Sequence, residues 1–395
     1  LKAIQKIALF AVGDDGWQGG IQYITNVLNA LNSLGDEQKL DVHLFRHGAQ
    51  NFPDLNKFKK INVVVEHVEH EFPGWTLKNR ALWFTQRKFS GRINPRIENY
   101  LLEKNFDYAF PITLSDCGNK LNAGSWIADF QYHHFPGGAS KHIIDAARAT
   151  ISNIALNTNK IILSSEFCER DCLELFPVSK GKTNVMPFAV FIDPAVLAFK
   201  DFESVIKKYN LPGRFLMVAN LFAPTKNHKT LFNALGILNR EGLSVNLVCT
   251  GNIVDYRNEG YANEILQSLT ENQIRHQVNL LGLIPRADQL SLYRMAVALV
   301  QPSINEGWST SVEEAKALGK KILLSDIPVH LEQYPGNPYF FNALDATDLA
   351  QKIKMVWTEN SAQIFPDIEK ECEAHKQYQE KVKQFGQRFL EIAAK

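Results

Sequence analysis

The sequence predicts an α/β protein of two domains in series, each built on a largely parallel sheet with helices on both faces. Three observations lead there. Short apolar runs rich in β-branched residues alternate along the chain with longer segments of helical spacing. Those intervening segments are long enough to carry the chain back across a sheet, which parallel neighbours require. And 395 residues are too many for one ordinary core. In sheets of this kind ligand sites are expected beyond the carboxyl ends of the strands, here facing a cleft between the domains.

The elements follow in order. IALFAV (7–12) reads as a strand that ends in the polar, Gly-rich turn GDDGWQGG (13–20), and IQYITNVLNALNSLG (21–35) as a helix with a terminal Gly. DVHLF (41–45) and INVVVEHV (61–68) are strands, with YAFPI (108–112) and WIADFQ (126–131) as shorter candidates. The helix GASKHIIDAARATISNIALN (138–157), the strand KIILSS (160–165), the helix EFCERDCLELF (166–176) and TNVMPFAV (183–190) close a first domain at 1–193. A second domain, 194–367, repeats the alternation: strands FLMVANL (215–221), SVNLVCTG (244–251), VNLLG (278–282), VALVQPS (297–303) and KKILLSD (320–326). Between them lie helical segments at 228–242, 261–274, 287–296 and from about 310. The tail, 368–395, is highly charged, and is expected to form surface helices packing back toward the first domain through Phe385, Phe389, Leu390 and Ile392. Gly386 argues against one unbroken helix there.

Composition excludes more than it selects. Hydrophobic residues make up 45% and charged residues 22%, ordinary for a globular chain. Lys plus Arg is 43 and Asp plus Glu 42, so no global charge calls for nucleic acid, and no aromatic–basic stripe suggests it. Five Cys, an odd and sparse set, do not form a disulfide framework; Cys168 and Cys172, four apart without further ligands, read as buried thiols rather than a metal pair. The opening LKAIQKIALFAVG reads as a strand rather than a signal peptide, and no run of 18 apolar residues occurs. The expectation is a cytoplasmic protein, with peripheral membrane contact and oligomeric state left open.

The richest stretch is NEGWSTSVEEAKALG (305–319). The strand before it delivers Asn305, Glu306 and Gly307 to a loop at the carboxyl edge. Ser309 or Thr310 can cap the next helix, with Glu313 three residues after Thr310 completing a capping box. Glu314 has no such role beside Val312, Ala315 and Leu318, so a carboxylate there wants partners. The two hydroxyls of a ribose would suit it. The amides of Gly307, Trp308 and Ser309, just ahead of the helix, could cradle a diphosphate or sugar hydroxyls, and Glu306 could reach the sugar.

LVQPSINEGWSTSVEEAKALGKKILLSDIPVH (299–330) resembles the donor-binding region of glycosyltransferase family 4. Further pieces match in order: the Gly-Gly turn, WIADFQYHHFP (126–136), the Ser-rich strand end at 164–165, the loop ANLFAPTKNH and LLGLIPRADQLSLYRMA. The resemblance runs from about residue 7 to 358. It implies the GT-B fold, two Rossmann-like domains with parallel sheets facing a central cleft. It also implies a retaining hexosyltransferase that uses a nucleotide diphosphate sugar as donor substrate, with no separate cofactor.

The resemblance assigns roles residue by residue. Lys226, by position alone either a solvated lysine or a phosphate ligand, becomes the diphosphate-binding cation. The Arg that many relatives carry five or six residues earlier is replaced by Asn220 and Leu221. His134, in an H-x-P setting, matches the active-site His, with His133 as the next candidate. Gly19 and Gly20, otherwise a tight turn before a helix, would lie beside the diphosphate, with Asp14, Asp15 and Trp17 on the acceptor side. Gly251 and Ile284 mark the base site, while Tyr293 reads as core. Trp75, Trp83, Phe84 and Phe89 among Lys78, Arg80, Arg87, Lys88 and Arg92 suggest a lip near a glycan, lipid-linked or small-molecule acceptor, or else a helix contact. No D-x-D occurs, and metal-independent chemistry is expected. A non-catalytic nucleotide-sugar-binding protein and an epimerase of the same fold remain the alternatives.

Overall fold

The structure is a computed structural model that describes residues 4–13, 18–35, 39–47, 50, 52, 54–68, 95–112, 120–255, 257–258, 260–359 and 366–395. The chain divides into two compact units. The first comprises 1–130, 145–191 and 380–395; the second comprises 131–144 and 192–379. Asp14, Asp15, Trp17, Cys117 and the whole suggested lip from Trp75 to Arg92 lie outside the described residues.

Elements of the first half are β1 (Lys6–Phe10), α1 (Gln18–Ser33), β2 (Asp41–Arg46), β3 (Asn62–His67), α2 (Pro95–Glu103), β4 (Tyr108–Phe110) and β5 (Ser125–Ile127). They continue with α3 (Gln131–His134), α4 (Lys141–Asn157), β6 (Ile161–Leu163), α5 (Glu166–Leu175) and β7 (Thr183–Val185). Strands β3-β2-β1-β4 form one parallel sheet and β5-β6-β7 another. An Ala109–Ala123 bridge connects the two. Cys168 and Cys172 are buried on one face of α5, as free thiols. The expected strand 126–131 is reduced to Ser125–Ile127, and Gln131 opens α3 instead of ending the strand.

The second unit holds α6 (Pro194–Ala198), α7 (Phe202–Tyr209), β8 (Leu216–Ala219), α8 (His228–Arg240), β9 (Leu247–Thr250), α9 (Tyr261–Glu271), β10 (Val278–Leu280) and α10 (Arg286–Met295). Then come β11 (Leu299–Gln301), α11 (Thr310–Ala317), β12 (Ile322–Ser325), α12 (Pro328–Gln333), β13 (Phe340–Phe341) and α13 (Ala346–Glu359). Six strands pair in the order β10-β9-β8-β11-β12-β13, all parallel. They carry Leu216, Val218, Leu247, Cys249, Val300 and Leu323 into a core closed by α8 and α13. From β8 the chain moves outward one way through β9 and β10, and then from β11 the other way. The loops after β8 and β11 therefore diverge at a switch point and leave a crevice at the carboxyl edge.

The tail corrects the expectation of an interrupted helix: α14 (Ile368–Ala394) runs 27 residues without a break. Its residues through Gln379 group with the second unit and those from Glu380 with the first. Phe385, Phe389, Leu390 and Ile392 are buried, and Gly386 abuts α1, where a Cβ would come within 2.6 Å of the Ala30 carbonyl oxygen. Among the described residues no helix is long and apolar enough to cross a membrane.

Candidate functional site

The loop after β8 is shaped by A-P-T-K-N-H. Pro224 opens a single 3-10 turn ending at Lys226, and Asn227 takes the left-handed conformation (φ 54°) that Asn tolerates. The Asn227 amide donates to the carbonyls of Pro302 (3.0 Å) and Ala343 (2.7 Å), and its oxygen accepts from Thr230 (2.8 Å). The Ile304 N–H donates to the Thr225 carbonyl (2.9 Å), which ties this loop to the one after β11. Lys226 and Glu306 thus arrive together from the two sides of the switch point.

They meet at 2.6 Å, Lys226 Nζ on Glu306 Oε1. The same oxygen accepts from Gln301 Nε2 (2.9 Å) and Ser303 Oγ (2.8 Å). A buried carboxylate needs such donors, since desolvation of an unpaired charge is costly. The lysine is the more open partner, its side chain 24% exposed against 8% for the glutamate. Gln301, fully buried at the end of β11, is the hub. Its amide also donates to Ser309 Oγ (3.0 Å), and its oxygen accepts from Asn220 Nδ2 (2.9 Å) and Ser311 Oγ (3.1 Å). Asn220, where an arginine was expected in relatives, is thus a neutral donor in this network. Behind it, His330 Nδ1 lies 2.9 Å from Ser325 Oγ. Burial pushes its pKa down to about 4, so the ring is neutral at pH 7.

The capping box does not form. Ser309 rather than Thr310 is the N-cap of α11, which puts Glu313 one residue too far along to reach back. Glu313 instead accepts from Lys316 Nζ (2.7 Å), Gln333 Nε2 (2.9 Å) and the Tyr378 hydroxyl of α14. The Ser309 N–H, expected to face a diphosphate, donates to Gln333 Oε1 at 3.2 Å. Gly307 is buried and Trp308 half-buried in the same turn.

Glu314 lies in a second cluster. Its buried carboxylate receives Arg286 Nη2 at 2.5 Å, and Arg286 Nη1 also donates to Gln289 (2.8 Å). Gln289 in turn donates to Thr250 Oγ1 at the end of β9 (3.3 Å). The Gly251 N–H donates to the Gly282 carbonyl (2.9 Å), two residues before half-buried Ile284. Gly251, Ile284 and Glu314 therefore share the β9–β10 side of the crevice, and Lys226, Glu306 and Ser309 the β8–β11 side. Tyr293 is buried in the core.

His134 ends α3 and is exposed, its ring 5.1 Å from that of His133. Its neighbours Gln131, Tyr132 and Phe135 line a small recess with Ala223, Pro224 and Thr225, next to the Lys226 turn, and with Asp255 and Arg257. Gly19 and Gly20 are the second and third residues of α1 in the first unit. Gly19 is exposed, whereas a Cβ on Gly20 would sit 2.8 Å from the backbone of Val12 and Gly13, so packing alone accounts for it. Sequence reasoning missed Gln301, Gln333 and Tyr378 and gave Arg286 no part. A polar residue ending an otherwise apolar strand was the one available signal, for Gln301.

Residues 200–381 match the family model described as glycosyl transferases group 1. The O-antigen chain mannosyltransferase B of Escherichia coli is 26% identical over 177 residues, 44% of this chain and 45% of that protein. The O-antigen chain mannosyltransferase RfbU of Salmonella typhimurium is 30% identical over 96 residues, 24% of this chain and 27% of the relative. The chain thus spans less than half the length of these curated relatives. Among solved structures, a glycosyltransferase from Rickettsia africae superposes with a TM-score of 0.65 at 15% identity, covering 99% of this chain and 98% of the other. Anabaena HepE in complex with UDP and glucose gives 0.65 at 14% identity, covering 99% of both chains. The chain thus has the two-domain α/β GT-B fold, and its residues 200–381 are similar to the glycosyl transferases group 1 family.

Proposed function

We propose that this protein is a retaining glycosyltransferase that moves a hexosyl unit from a nucleotide diphosphate sugar to an acceptor hydroxyl. The observation that carries the reading is the Lys226–Glu306 pair at the switch point of the second sheet, with both side chains held by loops that bond to each other. An ammonium has three hydrogens, and one serves Glu306. The other two can meet the oxygens of a departing diphosphate, where charge grows in the transition state. Glu306 Oε1 is filled by its three donors, so Oε2 is the oxygen offered to a sugar hydroxyl. Glu314 would exchange its Arg286 contact, or share it, to accept from the ribose diol, and the loop at Gly251 and Ile284 would take the base. The sugar–phosphate bond breaks as the acceptor oxygen bonds the anomeric carbon on the same face. The leaving phosphate takes the acceptor's proton. His134 is assigned to the sugar.

The curated relatives are mannosyltransferases of O-antigen chains by name, which favours mannosyl as the hexosyl unit and a lipid-linked or growing glycan as acceptor. Such an acceptor would bring the protein to a membrane surface. The test is a thermal-shift screen of nucleoside diphosphates and their sugars, followed by transfer assays with glycan acceptors for each stabilising ligand. Ligand-dependent stabilisation and sugar transfer with retained anomeric configuration are expected. Binding without transfer to any acceptor would leave a binding protein, and interconversion of the nucleotide sugar without acceptor would make it an epimerase.

A further inference from the structure

We propose that Gln333 is a positioning residue for the donor loop: its carboxamide grips the backbone of Ser309 at two points and thereby sets the turn that carries Glu306, Gly307 and Trp308. The inference rests on the glycosyltransferase reading above. Gln333 Nε2 donates to the Ser309 carbonyl (2.8 Å) while Gln333 Oε1 accepts the Ser309 N–H (3.2 Å). This is the pairing one peptide group makes with another in a ladder, supplied here by a side chain. The second Nε2 hydrogen goes to Glu313 Oε1 (2.9 Å). Because an ionised carboxylate only accepts, Glu313 dictates which end of the amide faces it. Glu313 is itself held by Lys316 Nζ (2.7 Å) and the Tyr378 hydroxyl, and Lys316 Nζ also donates to the Gln333 carbonyl (2.9 Å).

Gln333, Ser309, Glu313 and Tyr378 are all at most 4% exposed. Buried polar groups in such number are costly unless every one is matched, and apolar residues would fill the space more simply. The set lies directly behind the proposed donor loop. Ser309 Oγ accepts from the same Gln301 amide that holds Glu306 Oε1, so the grip on Ser309 is two hydrogen bonds from the candidate catalytic carboxylate. The titratable groups around the amide are Glu313 and Lys316 of α11, Tyr378 of α14 and, on or next to its own helix, His330, Glu332 and Tyr334.

The experiment measures the affinity of UDP and GDP by calorimetry from pH 5.5 to 8.5 for wild type, Gln333→Ala, Gln333→Glu and Tyr378→Phe. Gln333→Ala should weaken the tighter of the two about tenfold at every pH, the loss of a hydrogen bond to the loop. Gln333→Glu should weaken it about 100-fold at pH 8.5, since its carboxylate would accept only and face both Glu313 and the Ser309 carbonyl. As pH falls the introduced carboxyl takes a proton, early because it is buried beside another carboxylate. It then presents one donor and one acceptor to Ser309, and affinity should return to within about threefold of wild type by pH 5.5. A merely structural role would lower the unfolding midpoint without this pH-dependent rescue. Tyr378→Phe removes one donor from Glu313, and about a threefold loss of affinity is expected of it even where the Gln333 variants fold poorly. Wild-type binding left unchanged in Tyr378→Phe, or a Gln333→Glu deficit equal at all pH values, overturns the inference alone. A wild type that binds neither UDP nor GDP overturns it together with the function on which it rests.

Discussion

Lys226 and Glu306 are unequal partners, and the asymmetry makes their removal distinguishable. With the lysine 24% exposed, water can replace it at Glu306, so Lys226→Ala should cost little stability. It should lower sugar transfer by about 100- to 1,000-fold, the usual loss when one charge-stabilising group is taken from a transition state. Glu306→Ala instead leaves the buried hydroxyl of Ser303 short of an acceptor and opens a hole in a buried polar cluster, and should lower both transfer and the unfolding midpoint. Loss of transfer in Lys226→Ala that simply follows loss of folded protein would show the pair to be structural. Glu314 has a third signature. Arg286, 38% exposed, can turn to solvent when its partner is removed. Glu314→Ala should therefore weaken a nucleoside diphosphate tenfold or more, about one charged hydrogen bond, and leave inorganic pyrophosphate, which has no ribose, unaffected. Equal losses for the two ligands would refute the ribose contact.

At the scale of elements, the strands were readable because each is an apolar run and needs no partner to be recognised; β3 and β8 to β12 all fall inside their expected spans, and β2 runs one residue past its own. What failed were features set by a single residue's register. Glu313 lies three residues after Thr310, yet the helix starts from Ser309, and a shift of one abolishes the box. Gln301, Gln333 and Arg286 escaped because a polar side chain acquires its meaning from a partner distant in sequence, such as Ser309 for Gln333 or Glu314 for Arg286. Lys226 and Glu306 were legible as types at strand ends, but their contact depends on β8 and β11 being neighbours, which the order of elements along the chain does not state. Gly386 shows the same limit. As a helix residue it costs about 1 kcal/mol relative to alanine, which argued for a break. In the structure it admits the backbone of α1, where a Cβ would overlap the Ala30 carbonyl. Gly386→Ala should therefore lower the unfolding midpoint by several degrees despite its better helix propensity, a displacement of packed backbone costing about 1–3 kcal/mol. A raised midpoint would mean that the helices separate readily.

For the whole molecule, acid stability follows from two histidines of the second unit that the fold buries uncharged. His228, stacked on Phe222 with ring centroids 4.0 Å apart, has its pKa lowered to about 3 by burial and then by the charge of Lys226. His330 is lowered to about 4, again chiefly by burial. His375 is shifted the same way. An unfolded histidine titrates near 6.5. Between that value and the folded pKa the unfolded chain binds the proton and the folded chain does not, so stability falls with falling pH. It is fully present above about pH 7, and each of the two histidines removes up to roughly 1.4 kcal/mol per pH unit below about 6. The loss continues until pH 4 for His330 and pH 3 for His228. The window from pH 6.5 to 5 lies above the range in which ordinary carboxylates titrate, so the histidine contribution should dominate there. Equilibrium urea unfolding should show the decline, and hydrogen exchange at pH 5 against pH 7.5 should locate it in the second unit. His228→Phe keeps a ring on Phe222 and removes the ionisable group. It should reduce the slope by about 1.4 kcal/mol per pH unit while leaving stability at pH 7.5 equal or higher, because both ring nitrogens of His228 are buried without a hydrogen-bond partner. A slope unchanged by this substitution would mean that His228 finds water or a proton within the folded second unit.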